Sequence, residues 1–114
     1  MIKTKIEQTV KTETNKRGDV KLSLSDLAGF DIRNPKLKMF SLAELKPGEE
    51  VEYHKHVGEC EYYYIISGVG VYNDNGEERF IAPGTVTFTP SGESHGIKNT
   101  GGAILQFIAL IIED

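Results

Sequence analysis

The chain has 114 residues, too few for two separate hydrophobic cores, so the sequence implies one domain. Hydrophobic residues make up 39% and charged residues 26%, a globular balance, and no apolar run approaches the roughly 20 residues of a membrane span. The 17 acidic against 13 basic residues leave a net charge of −4, which argues against nucleic acid as a partner because phosphate backbones need a concentrated basic surface.

Residues 1–19 are polar and lack the apolar stretch of a secretory signal. They are expected to form an N-terminal arm, mobile or swapped onto a partner subunit, ahead of a single barrel domain at 20–114. "VKLSLSDL" at 20–27 alternates Val20, Leu22 and Leu24 with polar residues, the pattern of a half-buried strand. "SDLAGF" at 25–30 predicts one helical turn capped by Ser25 and ended near Gly29, the single helical candidate. After Pro35 the chain alternates strand and turn. "KLKMFSLAEL" ends at Pro47-Gly48; "VEYHKH" and "EYYYIIS" flank Val57-Gly58; "VGVYNDNGEERFIA" folds about Asn75-Gly76, a pair suited to a type I′ hairpin turn. "PGTVTFTPSGESH" is enclosed by Pro and Gly, and "HGIKN" and "AILQFIALIIE" close the chain around Gly101-Gly102. Many short strands with regular Gly/Pro punctuation predict an all-β sandwich or barrel. A single cysteine, Cys60, makes an intrachain disulfide impossible, and with no targeting element the cytoplasm is the default location.

Chemistry concentrates in "HKHVGECEYYY" at 54–64. Side chains alternate across a strand, so His54 and His56 share a face and Lys55 points away. Beyond the Val57-Gly58 turn, Glu59 and Glu61 share a parity that turns both inward and Cys60 outward. His95 starts a later strand. Three imidazoles and a carboxylate make an N3O donor set. A bare His-x-His occurs often on exposed strands and means little alone; placing all three histidines in turn-bounded strands strengthens the metal reading. The same parity directs Tyr63 and Ile65 inward, with Tyr63 either a hydrogen-bonding or acid group for a ligand or a space-filler with its hydroxyl at the rim. It directs Glu52 toward the His54 side as an acceptor for an imidazole N–H. Met39, Phe40, Phe88 and Phe107 are assigned to the core or to the pocket lining.

A wider frame surrounds these residues. Gly48, His54-x-His56, Glu61 and Gly68 stand at spacings that resemble the first signature motif of the cupin superfamily. Gly84, Pro90-x-Gly92, His95 and Asn99 resemble the second, 15 residues further on. The resemblance implies a double-stranded β-helix (jelly-roll) barrel with metal ligands at His54, His56, Glu61 and His95, Glu61 taking precedence over Glu59. It implies a divalent transition metal, Mn, Fe, Ni, Cu or Zn, and a small-molecule ligand reaching it. The function expected is a metal-dependent enzyme on a small carboxylated or carbohydrate-like metabolite (dioxygenase, decarboxylase or isomerase), the alternative being a non-catalytic binding or sensing module. Protons compete with the metal for imidazole nitrogens, so affinity falls in acid. Small cupins usually pair, and a homodimer joined through strands 20–27 and 104–112 is expected, with neither nucleic acid nor membrane as partner.

Overall fold

The computed structural model describes residues 2–14, 20–29 and 32–114. Ten strands fall among them: β1 (Thr9–Thr14), β2 (Val20–Asp26), β3 (Leu37–Leu45), β4 (Glu50–Lys55), β5 (Glu59–Ser67), β6 (Gly70–Asp74), β7 (Glu77–Ile81), β8 (Val86–Thr89), β9 (Ser94–Asn99) and β10 (Leu105–Glu113). They build a six-stranded sheet in the order β1-β2-β3-β10-β5-β8 and a four-stranded sheet in the order β4-β9-β6-β7, every pairing antiparallel. The two sheets enclose one core, the arrangement of a double-stranded β-helix. No helix among the described residues is long and apolar enough to cross a membrane.

The alternation in the sequence becomes the inner and outer face of each strand. β10 buries Leu105, Phe107, Ala109 and Ile111, and β5 buries Glu61, Tyr63 and Ile65. From the smaller sheet Tyr72, Ile81 and Ile97 meet them. Leu45, Ile65 and Leu105 are fully buried, and each such side chain stabilises the fold by about 1.5–3 kcal/mol of transfer free energy. The β6–β7 hairpin turns through Asn75 (φ 52°) and Gly76 (φ 94°), the two left-handed residues that a type I′ turn requires. Asn99, fully buried, ties β9 to its surroundings: its side-chain amide donates to the carbonyls of Leu45 (2.9 Å) and Ala103 (2.8 Å) and accepts from the Gly101 N–H (2.9 Å).

Three expectations are corrected. The helical turn at 25–30 does not form: Ser25 and Asp26 complete β2, because their backbones pair with both β1 and β3, and the chain then bends with the Gly29 N–H donating to Asp26 (3.1 Å). Phe30 lies outside the described residues. The helical residues found instead are a short 3-10 turn at Lys5–Glu7. The strands at 20–27 and 104–112 are not edges. β2 sits between β1 and β3, and β10 between β3 and β5, so their main-chain groups are already paired and unavailable to a partner. Finally, Phe107 and Met39 do line the interior, but Phe40 and Phe88 face outward, 37% and 47% exposed.

Candidate metal centre

His54 and His95 are direct cross-strand partners on β4 and β9, and His56 follows at the end of β4. A β-bulge between Val51 and His54 makes this possible: two residues, Glu52 and Tyr53, stand opposite the single Gly96. The bulge resets the alternation, so Val51 and His54 both face the interior while Glu52 and Tyr53 are exposed. This corrects the inward placement of Glu52. Its backbone carbonyl, not its carboxylate, accepts from His54 Nδ1 (2.6 Å).

The other two imidazoles are anchored the same way, each through Nδ1. His56 Nδ1 meets Glu59 Oε2 at 2.8 Å, and His95 Nδ1 meets the Tyr72 hydroxyl at 2.8 Å, which in turn contacts Thr89 Oγ1 at 3.0 Å. His54 and His56 each turn Nδ1 to an oxygen that only accepts, which leaves Nε2 a free lone pair, the tautomer that a metal needs. The Tyr72 hydroxyl holds His95 the same way when it accepts from Nδ1 and donates to Thr89. Glu59 is therefore the orienting acceptor of His56. Sequence reasoning missed Tyr72 in this role; its even spacing on a strand marks it only as inward-facing. Burial raises the Tyr72 pKa, so it stays a neutral phenol.

The three Nε2 atoms converge. His54–His56, His56–His95 and His54–His95 separations are 3.1, 3.0 and 3.2 Å. Glu61, 3% exposed, brings Oε1 to 2.9 Å from His56 Nε2 and 2.8 Å from His95 Nε2. The remaining separation, His54 to Glu61, is within 4.8 Å. Donors at about 2.1 Å from one ion stand about 3.0 Å apart at octahedral right angles but about 3.4 Å apart in a tetrahedron, where all six edges are equal. Five separations of 2.8–3.2 Å bring the donors close enough for all four to meet one ion. The donor set thus fits a divalent transition metal, with imidazoles and a carboxylate suiting the first-row ions.

Beside the cluster lies a cavity of about 260 Å³, walled by apolar side chains of β2, β3, β4 and β10 together with His54, His56, Glu61, Tyr63 and Glu13. Tyr63 stacks against His95, ring centroids 4.9 Å apart, and packs on Phe107 at 4.5 Å. Its hydroxyl makes no hydrogen bond to any described residue. Burial, then the charge of Glu61, holds its pKa well above the ordinary value, which keeps the phenol a donor. Glu13 of β1 was not singled out from the sequence, because nothing in a polar arm marks the one side chain that reaches the cavity.

Known proteins resemble this chain closely. Residues 41–111 match the Cupin domain family. An oxalate-binding protein of Thermotoga maritima is 43% identical over 107 residues, covering 93% of this chain and 88% of that one. A crystal structure described as a predicted oxalate decarboxylase from Thermotoga maritima superposes with a TM-score of 0.89 at 40% identity over the whole of both chains. KdgF from Halomonas sp., 19% identical with a TM-score of 0.74 over 91% of this chain and 86% of that one, shares the fold. Matched family, shared fold and convergent His/Glu donors lead to one conclusion: the chain belongs to the cupin family.

Proposed function

We propose that this cupin holds a divalent transition metal on His54, His56, Glu61 and His95 and binds a small dicarboxylate of the oxalate type beside it. The observation that carries this is the convergence of three imidazole nitrogens and one carboxylate beside a cavity: four protein donors would hold an ion and leave it accessible to two oxygens of a small ligand such as oxalate. The 43% identity to an oxalate-binding protein supports the same ligand class. Three imidazoles and one carboxylate would suit a first-row divalent ion. When bound, the ion supplies positive charge and Lewis acidity. The chain's own residues do the rest. Glu52, Glu59 and Tyr72 fix the imidazoles, the Tyr63 hydroxyl donates to a ligand oxygen, and the apolar walls exclude water and bulkier guests.

Elemental analysis of the purified protein tests the metal. About one equivalent per chain is expected, lost in His54→Ala and His95→Ala; equal content in all three would overturn the assignment. Calorimetry tests the ligand. Oxalate should bind the metal-loaded protein more tightly than acetate does, and Tyr63→Phe should keep its metal but weaken oxalate by about 5- to 10-fold, the worth of one hydrogen bond.

A second reading, turnover, is favoured by Glu13 on the cavity wall. Decarboxylation of singly protonated oxalate breaks the C–C bond, releases CO2 and places a proton on the remaining carbon to give formate; a carboxyl group at the wall is suited to relay that proton. Formate production that falls in Glu13→Gln while oxalate affinity holds would establish an enzyme. Binding without formate would establish a binding protein.

A further inference from the structure

The cavity beside the metal donors is larger and more apolar than oxalate requires. Its volume of about 260 Å³ has room for about nine water-sized groups, whereas oxalate has six non-hydrogen atoms. The space has a local cause. Cross-strand register sets Ala43 between Leu24 and Phe107, and Ala109 next to Tyr63. These two alanines, inward positions among larger side chains, hollow the inner surface of β3 and β10. Around the hollow Leu24, Met39 and Val51 pack against the core yet are only half-buried, and each lines the cavity. Apolar walls with a few placed polar groups are the anatomy of a small-molecule site.

The polar groups of the wall narrow the choice of ligand. Oxalate that gives the ion two oxygens keeps two more, and the wall offers them one neutral hydroxyl, that of Tyr63. No lysine or arginine among the described residues lines the cavity, and Glu13 adds a carboxylate to that of Glu61. A second anionic group inside would go unpaired, which is costly for a buried charge. A 2-oxo carboxylate gives the ion the same adjacent pair, one carboxylate and one keto oxygen, and leaves a single oxygen for Tyr63. It carries one negative charge where oxalate carries two. The geometry points to a wider ligand class for this site: besides oxalate it takes 2-oxo carboxylates with an apolar tail of about four carbons. The tail lies over Ala43, among Leu24, Met39 and Val51, and fills the space that oxalate leaves. This assignment rests on the metal site proposed above and names what occupies the rest of its cavity.

Calorimetry on the metal-loaded protein tests this with ligands that share one head, so that the head's own affinity for the ion cancels. 4-Methyl-2-oxopentanoate should bind at least about 10-fold more tightly than pyruvate, each buried methylene being worth about 3- to 4-fold. 2-Oxoglutarate, similar in length but charged at the tail, should bind no more tightly than pyruvate. Ala43→Leu fills the hollow; it should keep the metal and the pyruvate affinity while removing most of the advantage of the branched tail. Should the larger residue disturb the packing, Met39→Gln at its half-buried position should cut the same advantage by about 3-fold. Equal affinities along the series in metal-loaded protein overturn the proposal and leave the metal assignment standing. So does a tail advantage that persists in folded, metal-loaded Ala43→Leu. Elemental analysis of the same samples separates the two, since protein that takes up no metal overturns both.

Discussion

Glu61 and Glu59 differ by two positions on one strand and face the same interior, yet they meet opposite sides of the same imidazole. Glu61 reaches the metal-facing nitrogens of His56 and His95, whereas Glu59 reaches His56 Nδ1. Their amide variants should therefore differ. Glu61→Gln removes the only anionic donor of the cluster and should lower metal affinity by about 10- to 100-fold. Glu59→Gln retains an amide oxygen that still accepts from Nδ1–H, so its affinity should stay within a few-fold of wild type; competition against a chelator measures both. The reverse order would assign the carboxylate role to Glu59. Spacing in the sequence marked both glutamates as inward, and it was the motif register that separated them. What spacing alone does not contain is the partner strand: Tyr72 and Thr89 come to His95 only through pairings made by β6 and β8.

At the level of elements, the β4 bulge decides the site. Strict alternation through "VEYHKH" places Glu52 beside His54, and the bulge instead turns Val51 inward. A local register shift of this kind leaves no mark on the strand that contains it. The mark lies across the sheet, in Gly96: a Cβ there would stand 3.0 Å from the Tyr53 nitrogen and 3.1 Å from the Val51 carbonyl oxygen. Both are backbone atoms of the bulge and have little room to yield. Gly96→Val should push β4 away from β9, lower stability by about 1–3 kcal/mol, and weaken metal binding by more than about 10-fold, although no ligand has changed. Gly102→Ala, where nothing lies within 4 Å, should alter neither. Denaturant unfolding and metal content read the two effects; a Gly96→Val protein that binds metal normally would show that the bulge does not position His54. The strands themselves were legible because period-two burial and Gly/Pro turns recur from Leu37 onward. Ser25-Asp26 misled because a capping residue and a strand end use the same side chains, and only the neighbours β1 and β3 decide between them.

Across the whole molecule, two phenols sit between the sheets with pKa values raised chiefly by burial, Tyr63 from β5 and Tyr72 from β6. In the unfolded chain both titrate at the ordinary tyrosine value near 10. Below that pH the phenols are neutral whether folded or not, and their contribution to stability is constant. Above it the unfolded chain releases protons that the folded one retains, so unfolding gains favour with each further unit of pH. The slope approaches about 1.4 kcal/mol per pH unit for each phenol and continues until the folded-state pKa is reached. Stability should accordingly be level on the neutral side of pH 10 and fall beyond it. Tyr63→Phe should flatten that alkaline limb more than Tyr62→Phe, whose ring is 39% exposed on the outer face. Denaturant midpoints measured across the alkaline range give the comparison. Equal limbs in the two variants would mean that the interior around Tyr63 admits enough water to solvate a phenolate, and such an interior would not exclude water from a bound dicarboxylate either.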